Sequence, residues 1–138
     1  MKKILFFLFI LSSCTLDNTN KNSNSLDSIN VPDINKKIIK FDEIFTLFGD
    51  YFCYFYLEDC GSCKSLENKI YEIVLTMNNF YLVEPNYDIP RGIDKKLNIG
   101  VSDISEFRIT GYPTLIYIND NCISEIYVGI QEISYKLF

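Results

Sequence analysis

An unbroken apolar segment that passes directly into a helical pattern is the feature that most constrains the fold. In Tyr51–Leu57 every side chain is apolar or aromatic, without alternation, which is typical of a strand covered on both faces. From Ser65 onward the apolar residues recur at helical spacing, at Leu66, Ile70, Ile73, Val74 and Met77. Asn78 and Asn79 then favour a helix end. The pattern predicts a buried strand followed at once by an amphipathic helix.

Two cysteines, Cys60 and Cys63, lie at this junction in the run Glu58-Asp59-Cys60-Gly61-Ser62-Cys63-Lys64. The helix is expected to begin within their turn, which places the first thiol beside unpaired backbone N–H groups and the positive end of the helix dipole. A thiolate is stabilised there, and the thiolate is the form that attacks disulfides. Cys60 is therefore predicted to be a nucleophile and Cys63 its resolving group.

The same spacing has two other interpretations. It supplies half of a zinc site, but zinc needs two further ligands, the chain has no histidine, and Cys14, Cys53 and Cys122 are scattered. A purely structural disulfide is the second alternative. It would close a very small loop and contribute little stability through chain entropy.

The N-terminus carries the pattern of an export signal. Met1-Lys2-Lys3 is followed by eight apolar residues, Ile4–Leu11, too few for the roughly 20 that a membrane-spanning helix needs. Leu11-Ser12-Ser13-Cys14 resembles the bacterial lipobox, in which the cysteine becomes the lipidated first residue. We expect residues 1–13 to be a signal peptide and Cys14 to anchor the chain to a bacterial membrane, facing the periplasm or the cell exterior. An ordinary signal peptide with a chance cysteine is the alternative.

Charge argues against nucleic acid as a partner. Without residues 1–13 the chain carries 11 basic and 18 acidic residues, a net charge of −7.

Thr15–Asn35 is rich in Asn, Ser, Asp and Thr and shows neither helical nor strand periodicity, so residues 14–35 are interpreted as a lipidated cysteine with a flexible tether. Such a coil would span roughly 25 Å. Residues 36–138 then form one domain.

The order of elements in that domain predicts an α/β fold. The strand at Tyr51–Leu57, a helix at about Cys63–Met77 and a strand at Phe80–Glu84 form a βαβ unit, which favours a parallel pair. A loop-rich stretch follows, with a short helix possible after Ser102 or Asp103.

Further along the chain, a hairpin is indicated. Leu115–Ile118 and Cys122–Val128 flank Asn119-Asp120-Asn121, and Asn and Asp tolerate the backbone angles of a tight turn.

Three features in this order resemble the thioredoxin superfamily: Cys60-Gly61-Ser62-Cys63-Lys64 at a strand-to-helix junction, Gly111-Tyr112-Pro113-Thr114 opening a strand, and Gly129 sixteen residues beyond Pro113. The resemblance covers about Lys36–Gly129 and implies a three-layer fold with a mixed central sheet. It also implies a cis bond before Pro113, a substrate strand paired with the backbone of Tyr112, and catalysis by Cys60 and Cys63. Ile130–Phe138 leaves room only for a short C-terminal helix.

The chain departs from the family pattern at three positions. Asp59 stands where the family often has Trp, Ser62 replaces the usual Pro, and Tyr54 occupies the position of a buried acid that helps to deprotonate the resolving cysteine. Tyr54 is predicted to be a core residue with its hydroxyl hydrogen-bonded. Resolution by Cys63 is expected to be slower, or to rely on water or Lys64.

Charged neighbours act on Cys60 in opposite directions. Glu58 and Asp59 oppose its ionisation, whereas the helix N-terminus and Lys64 favour it. If the acids dominate, the reduced form gains less stability and the dithiol is a reductant, not a strong oxidant. The simpler alternative is that both acids belong to a solvated loop.

These observations predict a membrane-anchored thiol-disulfide oxidoreductase that acts on protein thiols and disulfides outside the cytoplasm, without cofactor or metal. Its other partner would be a membrane redox donor or acceptor of unknown identity. A Cu(I)-binding module using both thiolates and a redox-inert surface lipoprotein are the alternatives.

Cys53 is expected to be a small core residue. A bridge from Cys53 to Cys122 would have to cross an intervening strand.

Overall fold

The strand that precedes the two cysteines lies at the centre of a five-stranded mixed sheet. In the computed structural model, which describes residues 31–138, the strands follow the order β1-β3-β2-β4-β5. They span Ile38–Ile39 (β1), Tyr51–Phe55 (β2), Phe80–Val83 (β3), Thr114–Asn119 (β4) and Cys122–Val128 (β5). The helices are Val31–Asn35 (α1), Gly61–Thr76 (α2) and Gly129–Leu137 (α3). The predicted α/β fold with a mixed sheet and a short C-terminal helix is confirmed.

The βαβ unit β2-α2-β3 is present, and its two strands are parallel, with Phe52 opposite Phe80 and Phe55 opposite Val83. On the other side β2 pairs antiparallel with β4, so that Phe55 lies opposite Thr114. Because β2 has a neighbour on both sides and is covered on both faces, its residues are apolar without alternation. β4 and β5 form the predicted hairpin, and Asp120 and Asn121 in its turn have φ of 49° and 60°.

One face of the sheet is covered by helices. Of the apolar residues predicted to face inward, Leu66, Ile70 and Val74 are buried against that face. Ile73 and Met77 are half-buried and pack at the edge of the same cluster. Ile34 of α1 and Ile133 of α3 join the same cluster. All α-helices of the described chain therefore pack on this single face, and α3 is long enough to bury Ile133 completely.

The opposite face is covered by irregular chain. Cys53 and Phe55 of β2 pack there against Phe107 and Ile109, which belong to the long segment between β3 and β4. The prediction of a short helix after Ser102 or Asp103 is wrong, because residues 103–106 form only a turn. Asp103 instead caps a single turn, accepting the Ser105 N–H on its carboxylate and the Glu106 N–H on its carbonyl. The third layer consists of turns and loops, including a 3-10 helix at Lys95–Asn98.

A buried asparagine holds this irregular layer together. Asn98 is 1% exposed, and its side-chain amide donates to the carbonyl oxygens of Lys95 and Arg108. Its side-chain oxygen accepts the Arg108 N–H at 2.9 Å. The regular structure of this segment is limited to that 3-10 helix and a bridge between Arg91 and Ile109, and the Asn98 side chain satisfies backbone groups that would otherwise be buried without partners.

The described residues begin within the segment predicted to be a tether. α1 lies in that segment, and Ile34 is 7% exposed and packs in the cluster beneath α2. The signal peptide at residues 1–13, the lipidation of Cys14 and most of the tether lie outside the described residues. Within residues 31–138 no helix is both long and apolar enough to span a bilayer.

Candidate active site

Cys60 forms the N-cap of α2, as the sequence predicts. Its backbone is extended, with φ −81° and ψ 109°, and its sulfur accepts a hydrogen bond from the Cys63 N–H at 3.1 Å. The Lys64 N–H donates to the Cys60 carbonyl at 3.0 Å and closes the first turn of the helix. A sulfur at this position receives one of the N–H groups that a helix start leaves unpaired, and lies at the positive end of the dipole. Both effects stabilise a thiolate on Cys60.

Cys60 and Cys63 are joined by a disulfide, with their Cα atoms 5.2 Å apart. Cys63 is 4% exposed, whereas Cys60 is partly exposed. Cys60 is therefore the more accessible of the two cysteines to groups outside the protein. Of the four cysteines that the structure describes, Cys53 and Cys122 are free, and β4 separates their strands in the sheet.

Tyr112 and Pro113 lie at the same edge of the sheet as the disulfide. β4 begins at Thr114, opposite Phe55, and Phe55 is the last residue of β2 before the chain continues to Cys60. The Tyr112-Pro113 peptide bond is cis, as the resemblance implies. Pro113 is buried, and its carbonyl accepts the Gly129 N–H at 2.8 Å.

A loop after β3 contacts both parts of the site, which the sequence did not predict. The Tyr87 hydroxyl donates to the Asp59 carboxylate at 2.8 Å, and this hydrogen bond raises the pKa of Tyr87. The Tyr112 hydroxyl donates to the Asn86 carbonyl at 3.1 Å, and the Arg91 guanidinium lies 5.0 Å from the centre of the Tyr112 ring. Each contact joins a residue of this aperiodic loop to a partner 21 to 28 positions away in the sequence. No local sequence pattern could have revealed such pairs.

The predicted charged neighbours lie at the surface. Glu58, Asp59 and Lys64 are all exposed, and Asp59 is held by Tyr87. Glu58 and Lys64 border a cavity of about 250 Å³ that opens beside α2. Among residues 31–138, no group of three or more His, Cys, Asp or Glu side chains is arranged to hold a metal ion.

Tyr54 corrects one expectation. The side chain is 3% exposed in the core, as predicted, but its hydroxyl has no hydrogen-bond partner among the described residues. A buried hydroxyl left in this state costs about 1–3 kcal/mol. The Tyr54 side chain lines the same cavity as Cys63. Burial, and secondarily the charge of Glu67, raise the pKa of Tyr54 far above its usual range.

No protein-family model and no curated protein matches this sequence. Solved structures do. The chain is similar to Plasmodium falciparum thioredoxin, with 19% identity and a TM-score of 0.50, over 72% of this chain and 92% of that one. It is also similar to mitochondrial thioredoxin 3 from Saccharomyces cerevisiae in its oxidised form, with 15% identity and a TM-score of 0.51, over 75% and 93%.

A third likeness is to a chain in the complex of ferredoxin:thioredoxin reductase and thioredoxin f2, with 18% identity and a TM-score of 0.52, over 72% of this chain and 87% of that one. The fold and the site together define an α/β domain with a disulfide at the start of its longest described helix. The described part of the chain has a thioredoxin-like fold.

Proposed function

We propose that the protein is a thiol-disulfide oxidoreductase that acts on protein disulfides through Cys60 and Cys63. The observation that carries this proposal is the disulfide at the start of α2, in which the more accessible sulfur is also the one that accepts a helix N–H. In the reduced protein the Cys60 thiolate attacks a client disulfide, forming a mixed disulfide and releasing the first client thiolate. Cys63 loses its proton and attacks the Cys60 sulfur. The client leaves with two electrons, and the Cys60–Cys63 disulfide forms.

Tyr112 and Pro113 are proposed to position the client chain beside Cys60, because they lie at the edge of the sheet from which β2 leads to the disulfide. A reductase-type partner is proposed to restore the dithiol. The complex of ferredoxin:thioredoxin reductase and thioredoxin f2, which contains a chain similar to this one, supports that expectation.

Catalysed reduction of insulin disulfides by the full chain, with a small dithiol as electron source, tests the activity. A rate equal to that of the small dithiol alone would contradict it.

The direction of electron flow is proposed to be reductive. Glu58 and Asp59 oppose ionisation of Cys60 and so withhold stability from the reduced form. After equilibration with glutathione buffers, we expect a reduction potential closer to the roughly −270 mV of thioredoxin than to the roughly −120 mV of the strongest oxidants. Replacing both acids by Gln and Asn is expected to make the potential less negative.

Asp120→Asn is the matched control for this measurement. It removes one acidic charge from the hairpin turn, which joins the opposite end of the sheet because Tyr51 lies across from Ile118. Its potential should equal that of the native chain. A native potential near that of the strongest oxidants, or a double variant that does not differ from Asp120→Asn, would contradict the reductive assignment.

We propose that Cys14 anchors the protein to a membrane by lipidation and that the domain acts outside the cytoplasm. The support is the sequence pattern of a basic start, a short apolar run and a cysteine after two serines. The Cys14→Ser variant, expressed in a bacterium, is expected to leave the membrane fraction and to lose incorporation of labelled fatty acid. Cys122→Ser, which changes a free cysteine of the domain, should remain in the membrane fraction. Equal fractionation of Cys14→Ser and the native chain would contradict lipidation.

A further inference from the structure

The cavity beside α2 brings together the resolving cysteine and an array of polar groups. It has a volume of about 250 Å³, and its lining includes Tyr54, Tyr56, Cys63, Lys64, Glu67 and Tyr71. Cys63 and Glu67 are four residues apart on α2 and so project from the same face of the helix. Glu67 is exposed, whereas Cys63 is buried. The cavity therefore runs from a buried sulfur to a carboxylate in contact with solvent.

The Tyr54 hydroxyl shows that this cavity is suited to a polar occupant. It is buried, it makes no hydrogen bond to any described group, and its side chain forms part of the cavity wall. A cavity of this size with several polar groups in its wall has room for bound water. Glu67 offers an acceptor in a fixed position, because the Tyr71 hydroxyl donates to its Oε1 at 3.1 Å.

We propose that Glu67 takes the proton of the Cys63 thiol through a water molecule held in this cavity by the Tyr54 hydroxyl. The inference rests on the proposed oxidoreductase function and concerns its second step. The Cys63 thiol gives its proton to the water, and the water gives one of its own to the Glu67 carboxylate. The Cys63 thiolate then attacks the Cys60 sulfur, and the bond between Cys60 and the client breaks to release the client thiolate. Glu67 returns the proton to solvent.

The other groups around the cavity are less suited to accept this proton. Tyr54 stays protonated because burial raises its pKa, so it serves as a donor that positions the water. A lysine ammonium such as that of Lys64 has no acceptor. Glu58 also borders the cavity, but no hydrogen bond from a described residue holds its carboxylate, whereas the Tyr71 hydroxyl donates to that of Glu67. Glu67 is therefore the carboxylate with a fixed position beside the cavity.

The two steps can be timed separately in one reaction. Reduced full chain, with Cys14 and Cys122 replaced by serine, is mixed with 5,5′-dithiobis(2-nitrobenzoate), which releases one coloured thiolate when Cys60 reacts and a second when Cys63 resolves the mixed disulfide. Glu67→Gln is expected to leave the first release unchanged and to slow the second by a factor on the order of 10 at neutral pH. The difference should narrow as the pH rises, because hydroxide then competes with Glu67 for the Cys63 proton.

Three further variants make the result specific. Tyr54→Phe, which removes only the hydroxyl, should slow the second release in the same pH range, whereas Glu58→Gln should not. Glu72→Gln removes the same charge from α2 at a residue that does not line the cavity, and should match the native rate. In each variant, a Cys53 thiol that stays unreactive towards the reagent shows that the core has folded, because this free cysteine is fully buried.

If Glu67 does not accept the proton, its replacement should not slow the second release. If Glu67 acts only as a nearby negative charge, its removal favours the Cys63 thiolate and the second release becomes faster. A second release in Glu67→Gln that is as fast as in Glu72→Gln, or faster, would overturn the proposal. Insulin turnover by the native chain is measured in parallel. Its absence would contradict the oxidoreductase function, whereas the second release reports on the proton path alone.

Discussion

Replacing Cys60 with serine is expected to lower insulin reduction to the rate of the small dithiol alone. The substitution removes the sulfur that meets the client first, and an alcohol does not take its place in disulfide exchange. Serine is a favoured N-cap residue and can accept the Cys63 N–H in place of the sulfur, so the start of α2 should be retained. The loss then reports on chemistry and not on folding.

Two other cysteine variants complete this test. Cys63→Ser should accumulate a stable mixed disulfide between Cys60 and the client, visible by mass spectrometry, because the resolving thiol is absent. Cys122→Ser should reduce insulin at the native rate, since Cys122 lies in β5, outside the site. Substantial activity in Cys60→Ser would mean that another thiol carries the reaction and would refute the assignment of the nucleophile.

Replacing Phe107 with alanine is expected to lower the free energy of unfolding by about 3–5 kcal/mol. The Phe107 side chain is fully buried, and its ring centre lies 5.3 Å from that of Phe55 and 5.9 Å from that of Phe41. It fixes the irregular layer to β2, the strand that leads to Cys60. Its loss leaves a cavity between the irregular layer and β2, and the cost of that cavity adds to the lost burial of the ring.

Urea unfolding of the oxidised protein, followed by circular dichroism, measures this effect. Phe48→Ala is the matched control, because the Phe48 side chain is fully exposed and should change the free energy of unfolding by less than about 0.5 kcal/mol. If Phe107→Ala were as stable as Phe48→Ala, the irregular layer would not be packed as described.

The parts of the fold that follow a period could be predicted from the sequence. β2 and β3 could be predicted because each is a continuous apolar run, and α2 because its apolar residues recur at helical spacing. α1 and β1 were missed because five and two residues are too few to show any period. β1 forms only because β3 offers an edge, with Ile38 opposite Leu82, and that partner lies 44 positions along the chain.

The irregular layer could not be predicted for a related reason. Ile89, Val101, Phe107 and Ile109 are buried by contact with the sheet and not by a pattern of their own. A single turn at Asp103 uses the same capping chemistry as a helix start, so the expectation of a helix there was locally reasonable. Whether such a turn extends into a helix is decided by packing against the rest of the domain, which the local sequence does not show.

In the site, adjacency along the chain decided what could be predicted. Cys60 and Cys63 were identified from the strand and helix around them. Tyr87, which holds Asp59, comes from a distant loop and was not expected. No pattern in the sequence connects Glu67 with the two cysteines, and only the cavity shows that it shares a space with Cys63. The missing partner of Tyr54 is likewise visible only in three dimensions.

The Lys37 side chain fixes the segment between α1 and β1 at one end of α2. Its ammonium group donates to the carbonyl oxygens of Met77 and Asn78, just beyond the C-terminal end of α2. The disulfide lies at the other end of that helix, and 16 residues correspond to about 24 Å along the axis. The segment between α1 and β1 and the Cys60–Cys63 disulfide therefore lie at opposite ends of α2. A client bound at the disulfide would leave the Lys37 end of the helix uncovered.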